Sequence, residues 1–280
     1  MKRRLDKITE DSFKESDLWI KRVKVDCLSN KVFLTIRDNR IDLYYKGGRL
    51  FRYDNVGFKT HLKYASVITS DADDKDYLTE SQLSSYKIST NFESNYLRIK
   101  ENCSNYSGTE ACGVSEIYHR HSYLASGNVV VLDIEVSFES LNEIHKHDRI
   151  DFVLMNKTTN TLQFIEAKHY SNNDIWSEST PKVISQIERY EKQLKLRKTE
   201  IISEYVEHVR TLNSIFGILL PEPTDFDPKV TLLIFGFDND QKIGRLKRLV
   251  EEKQEYREIK KYYIGNIKKV KPVNLWNTRG

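Results

Sequence analysis

Cysteine, long apolar runs and charge of one sign are all scarce in this 280-residue chain, and each scarcity excludes something. Cys27, Cys103 and Cys112 are an odd number, widely spaced and without a CxxC pair, so neither a disulfide framework nor a zinc knuckle is indicated. They read as reduced thiols. The longest apolar runs, Ile215 to Leu220 and Val129 to Leu132, fall far short of the ~20 residues that a membrane-spanning helix needs. The opening Met1-Lys2-Arg3-Arg4-Leu5-Asp6 is basic but meets charged residues at once instead of the apolar stretch of a secretory signal, so a cytoplasmic protein without a membrane partner is expected. With 45 Lys and Arg against 41 Asp and Glu, the formal charge is +4, which permits nucleic acid as a partner without arguing for it.

What the chain does have is apolar and aromatic mass: 39 % hydrophobic residues, including 16 Tyr and 12 Phe, enough to bury a sizeable core. Short apolar runs at Val32–Ile36, Ile41–Tyr45, Leu50–Tyr53 and Phe58–Leu62 predict strands, with turns at Asp38-Asn39 and Gly47-Gly48, hence an antiparallel meander. The acidic stretch from Ser70 to Asp76 lacks the Gly and distal Glu of a calcium loop and reads as solvated. Polar residues dominate Ser89 to Ser107, which places a boundary between an N-terminal β-rich domain (1–105) and a C-terminal domain (106–280).

Beyond that boundary the pattern predicts a helix over Thr109–Leu124, strands at Val129–Phe138, Arg149–Met155 and Thr161–Tyr170, and a long helix from Pro181 to Val209. A strand at Lys229–Phe237, a helix from Gln241 to Lys253 capped by Asp240, and a strand at Ile259–Ile264 complete the order. Two of the apolar strands carry charge. Glu166 and Lys168, two apart, point to one side of their strand, and a hairpin closed by the polar turn Asn156–Asn160 would bring Asp151 beside them. Charges in such runs are costly unless paired or bound to a metal. Two carboxylates converging with a lysine suit metal-assisted phosphodiester hydrolysis: the acids hold a hard divalent ion, and the amine stabilises extra negative charge in the transition state.

These residues resemble the signature of the PD-(D/E)xK nuclease superfamily. Asp151, Glu166 and Lys168 match D…(D/E)xK, and Gln186-Ile187-Glu188-Arg189-Tyr190 matches the QxxxY motif of the RecB-like members. The resemblance implies an α/β fold with a restriction-endonuclease-like αβββαβ core over about residues 109–266. It also implies a Mg²⁺- or Mn²⁺-dependent nuclease, with DNA favoured over RNA as substrate. In that reading Asp151, Glu166 and the Ala167 carbonyl hold the metal, Lys168 assists the nucleophile, and Gln186 and Tyr190 orient the site. Ile150 replaces the proline before the aspartate, which many members also lack. An upstream helix glutamate is expected too; Glu116 is favoured over Glu110.

Other sequences of the form [DE]xK occur at Asp73, Asp227, Asp240, Glu251 and Glu258, but none sits late in a strand that follows directly on another strand bearing an Asp. Asp133 and Glu135 on the preceding strand are further candidates for the metal shell, or strand-face charges at a sheet edge. His119-x-His121 and His145-x-His147 have the right residue type for a transition metal, yet residues two apart point together only on a strand. Phosphate contacts are expected from Lys242, Arg245, Lys247 and Arg248 on the late helix and from Lys268, Lys269 and Lys271, with Trp176 a candidate for stacking on a base. Arg37, Arg40, Arg49 and Arg52 near the meander's turns leave that domain open as a recognition module or a homodimer interface. A non-catalytic nucleic-acid-binding or assembly protein that keeps the nuclease fold is the competing expectation.

Overall fold

The computed structural model describes residues 1–65, 92–138, 149–176 and 181–278, so the acidic stretch at 70–76 and both His145 and His147 lie outside the described residues. The chain is mixed α/β and divides into two compact units, Arg4–Ser115 and Met1–Arg3 with Glu116–Gly280. The division falls inside a helix, later than the boundary expected at 105/106.

In the first unit, α1 (Lys7–Glu15) begins where Asp6 Oδ1 accepts the Thr9 amide at 2.8 Å, an N-cap of the usual kind. A wide helical turn at Trp19–Val23 leads into α2 (Lys24–Leu28). The meander follows as β1 (Phe33–Arg37), β2 (Arg40–Tyr45), β3 (Gly48–Asp54) and β4 (Gly57–Lys59), antiparallel throughout. One face of this sheet is apolar. Ile41, Leu43, Phe51 and Tyr53 are buried, with Tyr53 and Phe58 packed on Phe13 of α1. The β2–β3 turn is Lys46-Gly47, one residue earlier than expected, both with positive φ; Gly48 already pairs with Tyr45. Positive φ at both central residues matches the right-handed twist of the strands they join.

After α3 (Leu62–Ala65), α4 (Tyr96–Asn105) occupies the polar stretch taken as a boundary. Its buried residues Tyr96, Ile99, Lys100 and Cys103 recur at helical spacing, and Asp26 takes hydrogen bonds from the Tyr96 hydroxyl at 2.7 Å and Lys100 at 2.5 Å. Burial pushes the Cys103 thiol up to about 12, and desolvation also raises that of Cys27, so both are protonated and unreactive.

The helix α5 (Thr109–Arg120) stops short of the expected Leu124. The second unit then builds a five-stranded sheet from β5 (Val129–Ser137), β6 (Arg149–Asn156), β7 (Thr161–His169), β8 (Asp225–Phe235) and β9 (Lys261–Ile264), in that order. β5, β6 and β7 pair antiparallel, while β8 and β9 are added parallel. The turn between β6 and β7 is held by Asn156 Oδ1, which accepts the Thr158 amide at 2.9 Å, and by Asn160 at φ +56°.

The helix predicted as one piece from Pro181 is two, α6 (Lys182–Leu196) and α7 (Lys198–Phe216), broken at Arg197 (φ −113°, ψ 23°). The predicted late helix is interrupted as well. Asp238, not Asp240, caps α8 (Asn239–Gln241) through a reciprocal bond pattern with Gln241, Gly244 departs from helical backbone, and α9 (Lys247–Glu252) follows; α10 (Pro272–Trp276) ends the fold. Among the described residues no helix is long and apolar enough to cross a membrane.

Gly47 combines φ +87° with an absent side chain whose Cβ would lie 2.5 Å from the Ala111 carbonyl carbon. Gly47→Ala is therefore expected to destabilise the protein by more than ~1 kcal/mol in chemical denaturation, because both the backbone and the space exclude a methyl group; a variant as stable as the parent contradicts this.

Candidate functional site

The site forms where β6 and β7 part. Their ladder runs from Asn156 opposite Thr161 to Phe152 opposite Ile165. Two residues further on, the edge of β7 presents the Ala167 amide, and its acceptor is Asp151 Oδ2 at 2.7 Å, a side chain in place of a backbone carbonyl. An extended residue sends its N–H and C=O to the same edge, so the Ala167 carbonyl faces the gap that Asp151 occupies. Asp151 is half-buried in a strand that is otherwise apolar through Phe152, Val153, Leu154 and Met155.

On either side of Ala167, Glu166 and Lys168 project together, as their alternation requires. Lys168 Nζ meets Glu166 Oε1 at 2.8 Å, with the two side chains only 9 % and 1 % exposed. Asp151 thus reaches the backbone of the residue between Glu166 and Lys168, which form a buried ion pair with each other. On the far side of β6, Glu135 Oε2 meets Arg149 Nη1 at 2.5 Å. Glu135 has φ +52°, in the left-handed region.

The paired helix residues are drawn to the same strand. Tyr190, fully buried on α6, donates from its hydroxyl to the Arg149 carbonyl at 2.5 Å and accepts the Arg149 amide at 3.2 Å. Gln186 Nε2 donates to the same hydroxyl. One phenol therefore uses its proton and both lone pairs to fix the backbone two residues before Asp151. Arg149 was not singled out in the sequence, although its i, i+2 relation to Asp151 puts both on one side of β6.

Several other candidates are occupied elsewhere. Asp133 is fully buried against Arg3, whose Nε lies 2.8 Å away, and accepts from the Tyr205 hydroxyl at 3.2 Å; it is a structural anchor for the chain's first residues. Glu116 sits on α5 facing Arg120 (3.4 Å) and Lys268 (3.7 Å), so Lys268 is partly neutralised by it. The rival tripeptide at Asp227 is paired outward, Asp227 with Lys260 and Lys229 with Glu191 at 2.9 Å. His121 follows the end of α5 and lies 3.2 Å from the Val270 carbonyl; burial holds its imidazole below the ordinary histidine value. His169 Nδ1 meets Ser171 at 2.8 Å. Among the described residues no group of three or more His, Cys, Asp or Glu side chains is close enough to hold a metal ion.

Comparison with family models, curated proteins and solved structures finds no match to this chain.

Two residues considered separately in the sequence come together: the Arg245 guanidinium lies 4.0 Å above the Trp176 ring, and the indole N–H donates to the Tyr170 carbonyl at 2.6 Å. Arg stacked on Trp presents a flat cationic surface just past the end of β7. Lys242, Arg248 and Lys269 are exposed.

The Tyr190 hydroxyl accounts for two backbone groups and one side-chain amide at once, so Tyr190→Phe is expected to cost about 1–3 kcal/mol in chemical denaturation; unchanged stability contradicts the bracing role.

Proposed function

We propose that the chain is a metal-dependent nuclease of the PD-(D/E)xK type, acting on phosphodiester bonds, with DNA favoured over RNA as substrate. The observation that supports the reading is the Asp151 carboxylate bonded to the Ala167 amide where β6 and β7 part, with the buried Glu166–Lys168 pair on either side of Ala167. The order α5, β5, β6, β7, α6, α7, β8 supports it, being that of an αβββαβ core whose second helical segment is broken in two.

The donor set fits Mg²⁺ or Mn²⁺ in kind. Two carboxylates and one carbonyl are all hard oxygen donors, and Mg²⁺ takes few protein ligands, completing its shell with water and substrate phosphate. When bound, the ion supplies positive charge and Lewis acidity to the phosphoryl group under attack. The chain's own residues do the rest. Asp151 and Glu166 hold the ion, and the Lys168 ammonium stabilises negative charge that grows on the phosphate oxygens and aligns the attacking water. Gln186 and Tyr190 are positioning residues, acting through the Arg149 backbone on the placement of Asp151. The Arg245–Trp176 pair and the exposed Lys242, Arg248 and Lys269 offer charge and a stacking surface to the nucleic acid. Glu116 is not needed in this reading.

A second reading is favoured by one observation: Glu166 is engaged by Lys168, and no three-ligand group is formed among the described residues. In that reading the chain is a nucleic-acid-binding or assembly protein in which the three charges only brace the sheet.

Asp151→Asn separates the two, since the amide oxygen still accepts the Ala167 N–H while the negative charge is lost. The nuclease reading predicts cleavage of DNA by the parent with Mg²⁺, its loss in EDTA, and a fall of ~10²-fold or more in the variant with melting unchanged. Absence of cleavage of any DNA or RNA by the parent, or equal cleavage by the variant, rejects it.

A further inference from the structure

The face of the first unit's sheet that looks away from α1 carries a cluster the catalytic reading does not use. Asp42, in the middle of β2, is 1 % exposed, and four arginines converge on it. Arg37 Nε lies 3.9 Å from its carboxylate, Arg40 Nε 3.5 Å, Arg49 Nη1 3.6 Å and Arg52 Nε 3.7 Å. The register explains the convergence. Arg52 is opposite Asp42 on β3, Arg37 is opposite Arg40, and Arg40 is two residues before Asp42, so all share one face.

Asp42 carries one negative charge against the four guanidiniums that meet it. The Nε atoms of Arg40 and Arg52 and the Oδ1 of Asp42 are buried without a hydrogen-bond partner, so these groups are held by charge at ion-pair distance rather than by the bidentate fork that arginine and carboxylate ordinarily form. Burial and repulsion from Arg52, Arg37 and Arg49 hold the Arg40 guanidinium below the usual arginine value despite Asp42. Arg40, Arg49 and Arg52 are nonetheless 34 %, 45 % and 35 % exposed in their side chains, so the array meets solvent.

We propose that this arginine face is a binding surface for the phosphate backbone of nucleic acid. Arginine's planar fork matches phosphate oxygens, and like charges gathered this closely are relieved by a polyanion. With the buried Asp42 carboxylate filling the point of convergence, an incoming anion meets the part-exposed ends of Arg40, Arg49 and Arg52 rather than one enclosed site, which favours a polymer over a single small anion. Asp42 serves as an internal spacer that holds the arginines in one array. The choice of nucleic acid as the polyanion rests on the proposed function, but binding here requires neither metal nor cleavage.

The test is fluorescence anisotropy of labelled duplex DNA and of labelled single-stranded RNA with the full chain in EDTA, across a range of salt concentrations. EDTA keeps the result independent of whether the protein cleaves. The double variant Arg49→Gln/Arg52→Gln is expected to weaken binding about tenfold and to lower the slope of log affinity against log salt for the duplex by ~1.8, about 0.9 for each lost phosphate contact. Weakening with duplex DNA or with RNA supports the proposal and names the preferred strand type. Where the double variant melts early, Arg49→Glu, at the most exposed of the four, is expected to weaken binding and to lower that slope by ~0.9, the share of one contact. No binding of either probe by the parent, or parent-like affinity and slope in a folded variant, overturns it.

Discussion

The hydrogen bond from the Ala167 amide to the Asp151 carboxylate is the constraint on which the second unit's site depends. It stands where the β6–β7 ladder stops, and it lets the two strands separate without leaving an amide of β7 unsatisfied. Had a backbone carbonyl taken that position, the strands would have stayed paired and no gap would face Glu166 and Lys168. Their ion pair is more than nine-tenths buried, and such pairs are weak sources of stability because desolvation offsets much of the attraction. A sheet that only had to be stable would fill these positions with apolar residues; the retention of three charges there is what gives the chemical reading its force.

Much of this was legible before the structure. The five strands of the second sheet lie close to where β-branched and aromatic runs flanked by turn residues put them, because a strand buried on both sides must be almost continuously apolar. Gln186 and Tyr190 were named by the QxxxY motif of the resemblance, and a spacing of four puts them on one helix face. What the sequence hid was mostly non-local. Nothing near Asp133 distinguishes it from Asp151; its partner, Arg3, lies 130 residues away in the chain. The positive φ of Glu135 and the break at Arg197 have no glycine or proline to announce them. The helix Tyr96–Asn105 was missed because a narrow buried stripe of Tyr96, Ile99 and Cys103 is diluted by polar neighbours.

The two units use charge in opposite ways. In the second, Glu166 and Lys168 pair in near-complete burial beside the half-buried Asp151. In the first, four arginines share one buried carboxylate, and three of them are part-exposed. A net charge of +4 over the whole chain conceals both, since it averages over a surface whose useful charge is local.

The gathering of Asp151, Glu166 and the Ala167 carbonyl around one divalent ion is tested most directly by diffraction from Mn²⁺-soaked crystals at the manganese absorption edge. The account predicts one anomalous peak within coordination distance of those three oxygens, with Glu166 turned from Lys168 toward the ion. An empty gap at saturating Mn²⁺, with the Glu166–Lys168 pair intact, contradicts it.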